Sequence, residues 1–419
     1  MLPIRIIFQK KLAPLLLIIP SFSLFSPIAH ALPSFARQTG EACTACHIQT
    51  WGANLTPRGR DFKLKGYTQS NNETGWKPPL SMTVGGGGSF DLTDYPDFLG
   101  GSSRAKDTAF ASGSVFYAGK VNKNLGAYVQ GTGVYSSSGN AYGYLDKVDL
   151  RFASQIDLSG QHIDYGISVN NEPGVQDLWN TNAVWRNSIT GGSTLSDRGL
   201  SGRVVGASLY TMINNLLYVE AGGYTSLPVD VQQGIGRANY IGTEIDGGAP
   251  YWRIALQHNW NGHYMALGHF GLRADVRNNF LPAFFVQDYY TSYSDLGVDA
   301  TYQYLANPDH IFELKASYVR ETRSSSENIF FSNVYNTTIE NVNANAAYTW
   351  QQTLGLMLGY QYNNMLGHYL ATELSYTPFG KQQSLAAPWL NLRLKLGYIT
   401  EVADSYPQER LYLNGQIAF

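Results

Sequence analysis

From residue 78 onward the chain runs in stretches of about ten residues in which apolar and polar side chains alternate, with Gly, Asn, Asp and Ser gathered at the joins. Alternation with a period of two marks a β-strand whose faces meet different media, because successive side chains point to opposite sides. Val148, Leu150, Phe152 and Ile156 share one face of such a stretch, with Asp149, Arg151 and Gln155 on the other. Leu390, Leu392, Leu394 and Leu396 alternate without exception against Asn391, Arg393 and Lys395. The pattern predicts sixteen strands, at 80–90, 108–120, 125–137, 144–157, 161–170, 201–213, 216–226, 249–260, 263–275, 295–306, 310–321, 339–351, 353–364, 367–378, 386–399 and 408–419.

Alternation alone fits both a soluble sandwich with its apolar face inward and a membrane barrel with that face toward lipid. The connections separate the two. Those after even-numbered strands are mostly short, such as Asn214-Asn215 and Asn261-Gly262, whereas those after odd-numbered strands are often long, such as 171–200 and 227–248. Short periplasmic turns alternating with long extracellular loops are expected of an outer-membrane barrel, and a sandwich gives no reason for this parity. The last strand alternates through Leu411, Leu413 and Ile417 to a terminal Phe419, as expected of a strand read by barrel-assembly machinery. The expected fold is therefore all-β, a 16-stranded antiparallel transmembrane barrel over residues 78–419. Its polar face would line a lumen, with Lys147, Asp149, Arg151, Arg253, Glu313, Lys315, Arg393 and Lys395 pointing inward.

Composition narrows the setting. Charged residues make up 14% of the 419, with 29 Tyr and 19 Phe, which excludes intrinsic disorder and suits aromatic girdles at a membrane interface. A net charge of −2 without a basic block argues against a nucleic-acid partner. No apolar run beyond the first 30 residues is long enough for a membrane-spanning helix. At the N-terminus, Arg5, Lys10 and Lys11 precede an apolar stretch to Phe25 and then Ala29-His30-Ala31, so residues 1–31 read as a secretory signal; Pro14, Pro20 and Ser21 argue against a membrane anchor. Export and lipid-facing strands together place the protein in the bacterial outer membrane.

The only two cysteines lie in Cys43-Thr44-Ala45-Cys46-His47. C-x-x-C-H is the attachment signature of one covalent haem c: the thiols form thioethers to the two vinyl groups, and the adjacent imidazole is presented to the iron as proximal ligand. A disulfide and a redox C-x-x-C are the other readings, but a thioredoxin-like motif needs a βαβ surround, and zinc needs two further ligands that 48–79 does not contain. Residues 32–77 form a segment too small to fold comfortably by itself, so it is expected as a cytochrome plug in or at the barrel lumen. Met82 is the nearest candidate for the distal iron ligand; His162, His258, His263, His269, His310 and His368 are weaker ones.

Residues 36–47, Ala36-Arg37-Gln38-Thr39-Gly40-Glu41-Ala42-Cys43-Thr44-Ala45-Cys46-His47, with 55–67, Leu55-Thr56-Pro57-Arg58-Gly59-Arg60-Asp61-Phe62-Lys63-Leu64-Lys65-Gly66-Tyr67, resemble the start of the fused monohaem cytochrome-porins of iron-oxidising bacteria. The resemblance is specific over 35–67 and architectural over the barrel. It implies an Fe(II)-oxidising oxidoreductase of the outer membrane, which accepts electrons from extracellular Fe(II) through the haem and passes them to a periplasmic cytochrome or other carrier. It carries over Cys43, Cys46 and His47 but not a distal ligand. Arg58, Arg60 and Lys63 either pair with haem propionates or serve a short helix. Acidic loop residues Asp91, Asp94, Asp97, Glu244 and Asp246 could attract Fe(II), or simply solvate their loops. Two other functions are compatible with the same sequence: an electron conduit for a different donor or acceptor, and a diffusion porin with a structural haem.

Overall fold

A computed structural model describes residues 32–52, 54–71, 77–96, 102–104, 108–136, 139–180, 194–238, 242–277, 290–325, 336–381, 389–402 and 408–419. The expected signal segment and Asp97 lie outside the described residues. Sixteen long strands appear where the alternation placed them: Leu80–Asp91, Thr108–Lys120, Leu125–Ser136, Ala141–Leu158, Gln161–Asn170, Val204–Ile213, Leu217–Ser226, Ala249–Trp260, His263–Arg277, Tyr290–Tyr304, His310–Ser325, Asn336–Trp350, Leu354–Asn363, Gly367–Tyr376, Asn391–Glu401 and Glu409–Ala418. Each pairs antiparallel with its neighbour in sequence, and the first closes on the last from Thr83↔Ala418 to Asp91↔Arg410. Closure removes every free sheet edge, which a structure surrounded by lipid requires because no water is present to satisfy one.

Most short turns gather at one end; 364–366 is a short turn at the other, and the connection 377–390 is a long one at the short-turn end. Ser159-Gly160 and Asn261-Gly262 have positive φ at both central residues, 51° and 79° in the first and 46° and 79° in the second. Such turns match the right-handed strand twist, and Asn and Gly reach that conformation at least cost. Strand boundaries move by up to five residues: the tenth strand starts at Tyr290 rather than 295, the eleventh runs on to Ser325, and the fifteenth starts at Asn391 rather than near 386, beyond Pro388, which has no N–H to give a ladder. The fourth strand contains a register shift opposite Gln130 and Gly131, and Asp146 and Lys147 are both buried there although adjacent. A bulge allows this by inserting one extra residue into the strand.

The exterior is apolar. Leu209, Leu256, Leu267, Leu314, Leu358 and Leu374 are all more than half exposed, alternating with inward-facing residues along their strands. At the short-turn end the rings of Trp260, His263, Tyr304, Phe312 and Tyr348 form a ladder across neighbouring strands, with centroids 4.9 to 6.4 Å apart. A belt of amphipathic rings at this height is an interfacial anchor. All eight lumen residues expected from the alternation face inward; Asp149, Arg151, Arg253 and Glu313 are at most 1% exposed.

The N-terminal segment carries the helices Pro33–Thr39, Cys43–Cys46 and Pro57–Leu64. It lies inside the closed sheet toward the short-turn end, in contact with wall strands on every side. Arg37 donates to the Leu80 carbonyl (2.5 Å), Tyr67 to Asp149 (2.6 Å) and Arg60 to Gln303 (3.0 Å). Tyr210 donates to the Leu64 carbonyl (2.7 Å), and Gln49 to the carbonyls of Thr353 and Ser375 (both 3.1 Å). From the opposite end, residues 171–180 fold into the lumen and meet it. Lys63 donates to the Asp177 carbonyl (2.7 Å), Lys315 to the Trp179 carbonyl (3.1 Å) and the Trp179 indole to Tyr264 (2.6 Å).

Candidate haem-binding site

The chain enters the motif from an extended Ala42 and makes a single helical turn over Cys43–Cys46. The His47 N–H closes that turn on the Cys43 carbonyl at 2.9 Å. His47 then pairs with Leu55 in an isolated antiparallel bridge that brings the chain back beneath the motif. Thr56 joins the bridge to the next helix: its hydroxyl donates to the Ala45 carbonyl (2.5 Å) and accepts from the Gly59 N–H (3.2 Å), capping Pro57–Leu64. Gly59 must be glycine, since a Cβ there would lie 2.3 Å from the Cys46 carbonyl oxygen. The sequence thus folds both thiols and the imidazole into one short, cross-braced unit.

Cys43 and Cys46 are not joined to each other. Burial pushes the Cys43 thiol up to about 11 and the Cys46 thiol up to about 12, the latter against an opposing pull from Arg58. His47 is half-buried, and the desolvation of its ring pushes it down to about 4 while the Gly52 backbone acts weakly the other way. Its ring is therefore neutral at ordinary pH, the form that ligates metal. Its Nδ1 is buried without a hydrogen-bond partner. Two unjoined thiols spaced by two residues, beside a neutral imidazole with an unbonded nitrogen, are a donor set that fits a covalently held haem.

The motif is seated against the fifteenth strand. Asn391 donates to the Thr50 carbonyl at 2.7 Å, and a Cβ at Gly52 would lie 3.3 Å from the Arg393 guanidinium. A Cβ at Gly380 would be 2.9 Å from Thr50 and 3.1 Å from Cys43, so this wall approaches as closely as glycine permits.

Met82 does not belong to this site. It is 43% exposed and alternates with the inward-facing Ser81 and Thr83, so its thioether points into lipid. Period-two geometry decides this: a residue one position from a lumen residue faces the other way. His258, His263, His269, His310 and His368 also stand on the outer face, and His162 lies at the lumen's short-turn mouth beside Asp157 (2.8 Å). Two methionines of the described strands face inward, Met212 and Met357. Met212 is packed with Leu64, Leu178 and Trp179. Met357 stands opposite Glu373 and two residues along its strand from Gly355, whose surface touches the Gln49 side chain. Proximity along the sequence had favoured Met82; the alternation of 354–363 is the signal that would have pointed to Met357.

The cations of the helix after the motif are otherwise engaged. Arg58 pairs with Glu41 (3.0 Å) and Asp61 (3.5 Å), Arg60 lies over the Tyr264 ring (3.6 Å), and Lys63 is held by Asp177 and Asn180. The side chain of Asp94 lies, like Asp97, outside the described residues, and the three described acidic loop residues are not brought together. Asp91 lies 3.8 Å from Arg410, Glu244 pairs with Arg277 at 2.8 Å and Asp246 is exposed. Among the described residues no three His, Cys, Asp or Glu side chains converge to hold a metal ion.

No family model and no curated protein matches the chain. Solved structures similar to it include OprB of Pseudomonas putida at high pH, 13% identical over 81% of this chain and 94% of that one (TM-score 0.47). The outer membrane channel DcaP of Acinetobacter baumannii is 10% identical over 81% and 96% (TM-score 0.46). An anion-selective porin from Comamonas acidovorans is 12% identical over 81% and 98% (TM-score 0.42). The chain's own closed sixteen-stranded sheet, apolar exterior and aromatic belt make it a porin-like barrel of the bacterial outer membrane.

Proposed function

We propose that the protein is an outer-membrane cytochrome-porin of the iron-oxidising type. In this reading it takes electrons from extracellular Fe(II) through one covalent haem c and delivers them to a periplasmic cytochrome or other carrier. The observation that carries the proposal is the placement of unjoined Cys43 and Cys46 beside His47, whose Nδ1 is buried without a partner, inside a transmembrane barrel. A hydrocarbon layer about 30 Å thick insulates against electron transfer, and a redox group held within it divides that distance. Cys43 and Cys46 would hold the haem covalently and His47 would supply the proximal nitrogen. Met357, on the inner wall, is the distal candidate that replaces Met82. When bound, the group supplies a one-electron couple whose potential is set by axial ligation, burial and neighbouring charge.

The chain's own residues exclude water and fix the motif. The wall contacts of Gln49, Arg60 and Tyr67 hold the segment from the sides, and residues 171–180 cover it from the extracellular side. Anaerobic addition of Fe(II) to the purified oxidised protein tests the proposal by visible absorption. Reduced c-type bands on a catalytic timescale are expected; an oxidised spectrum that persists with Fe(II) but changes with dithionite would reject the ferrous donor. The porin-like barrel also favours a diffusion pore, which liposome swelling with small solutes distinguishes, because a filled lumen conducts them poorly.

A further inference from the structure

The wall against which the motif is seated holds a charge imbalance among the described residues. Arg37 is 7% exposed and engages the Leu80 and Pro78 carbonyls and the Trp389 ring (4.6 Å), with no carboxylate beside it among the described residues. Arg393 is half-buried with its Nε enclosed and unbonded, and its one carboxylate contact among the described residues is Glu373 at 3.4 Å. Glu373 is already bound more closely by Lys395 (2.5 Å) and Tyr412 (2.8 Å). No acid other than Glu373 acts on Arg393 or Lys395 among the described residues. Arg393 and Lys395 thus share a single carboxylate and Arg37 has none beside it, an excess of two positive charges among the described residues. A buried cation is retained only with a counter-charge or a full set of acceptors, and a guanidinium offers five N–H donors.

The two arginines belong to the same sector as the motif. Arg393 touches Gly52, five residues after His47, and stands two residues along one strand face from Asn391, which bonds Thr50. Gln416 lies opposite Arg393 and Asn414 opposite Lys395; each presents a buried amide oxygen with no partner. Arg37 lies below these positions, between the start of the first strand at Leu80 and Trp389. Elsewhere around the segment Arg151 pairs with Asp149 (2.9 Å) and Arg253 with Asp299 (2.9 Å), while Arg60, Lys63 and Lys315 are met by amides, carbonyls and the Tyr264 ring.

Resting on the haem reading above, we propose that Arg393 and Arg37 are the anchors of the two haem propionates. Guanidinium forks bind carboxylates bidentately, and two propionates carry the two negative charges this sector lacks. Arg58, Arg60 and Lys63, which the sequence offered for that role, are occupied elsewhere. Both arginines are positioning residues: they fix the macrocycle's orientation and raise its potential by keeping positive charge beside it.

The test measures midpoint potential against pH for the detergent-solubilised full chain, wild type and Arg393→Gln, Arg37→Gln and Arg393→Lys, with Arg237→Gln as a control charge remote from the motif. Covalent haem in the wild type is checked first by c-type absorption and haem staining; its absence would overturn the haem reading itself, before any variant is compared. With haem present, each Gln variant is expected to keep its haem and shift its potential downward. Each should also acquire a pH-dependent potential in the mildly acidic range where a released propionate titrates. Arg393→Lys should recover most of the wild-type potential, and Arg237→Gln should leave it unchanged. Gln variants with wild-type potential and a flat pH profile would overturn the assignment, as would an equal shift in the control. If Arg393→Gln fails to assemble, the wild type decides: propionates paired with buried arginines give a flat profile through that range, and a sloping one rejects the pairing.

Discussion

Replacing Arg151 with Ala removes one side chain that joins wall, N-terminal segment and inward loop. Its guanidinium pairs with Asp149 at 2.9 Å and donates to the Lys63 carbonyl at 3.3 Å and the Gln176 carbonyl at 3.0 Å. It also lies 5.2 Å from the centre of the Tyr210 ring. Truncation leaves Asp149 buried, with hydrogen bonds from Tyr67 (2.6 Å) and Ser168 (2.7 Å) but no cation. Breaking a buried pair from one side costs about 3–5 kcal/mol. The sixteen-strand ladder does not depend on this residue, so the cost falls on docking of the segment rather than on the barrel. At roughly 1.4 kcal/mol per tenfold, the open population should rise by about two to three and a half powers of ten. Hydrogen exchange across Pro57–Leu64 should accelerate by that factor while exchange in the strands and heat-modifiable migration stay as in the wild type. Arg151→Ala with Asp149→Ala should recover part of the loss, because no uncompensated charge then remains. Exchange in the helix within about threefold of wild type would refute the reasoning, since it would mean that the segment is held without this junction.

Cys43→Ser combined with Cys46→Ser should abolish covalent haem staining and leave barrel assembly intact, read by heat-modifiable migration. Met357→Ala should remove the weak red sulfur-to-iron charge-transfer band of the oxidised protein, whereas Met82→Ala should leave it in place; the reverse result would return the distal ligand to Met82. Burial, followed by repulsion from Arg151, pushes Lys63 down to about 7 in the docked segment. The undocked segment then binds more protons between pH 7 and the ordinary lysine value, so docking should strengthen as pH rises through that interval and be insensitive below it. Hydrogen exchange of Pro57–Leu64 against pH, normalised for intrinsic exchange, checks the sign, and Lys63→Met should flatten the dependence.

The sixteen strands were legible because a period-two pattern is a local property that needs no knowledge of partners. The same pattern separated lumen from lipid for Lys147, Arg393 and Lys395. It also contained the exclusion of Met82, whose neighbours Ser81 and Thr83 are inward-facing, but nearness to His47 along the chain competed with it. The bulge at Asp146 was not legible, because an extra residue disturbs the alternation only in relation to the partner strand. Nor were the roles of Arg58, Arg60 and Lys63: three cations on eight helical residues look alike until a carboxylate, a ring and a carbonyl are placed around them.

By itself the sequence determined the transmembrane sheet, the parity of its connections and the attachment motif at Cys43, Cys46 and His47, since each is written in spacings of a few residues. Tertiary structure alone decided which wall the motif faces. Thr50 meets Asn391 across 341 positions, and Gly52 meets Arg393. The register of barrel closure and the inward fold of residues 171–180 bring such groups together. Packing and charge compensation inside the lumen select that arrangement, and neither leaves a periodic trace along the chain.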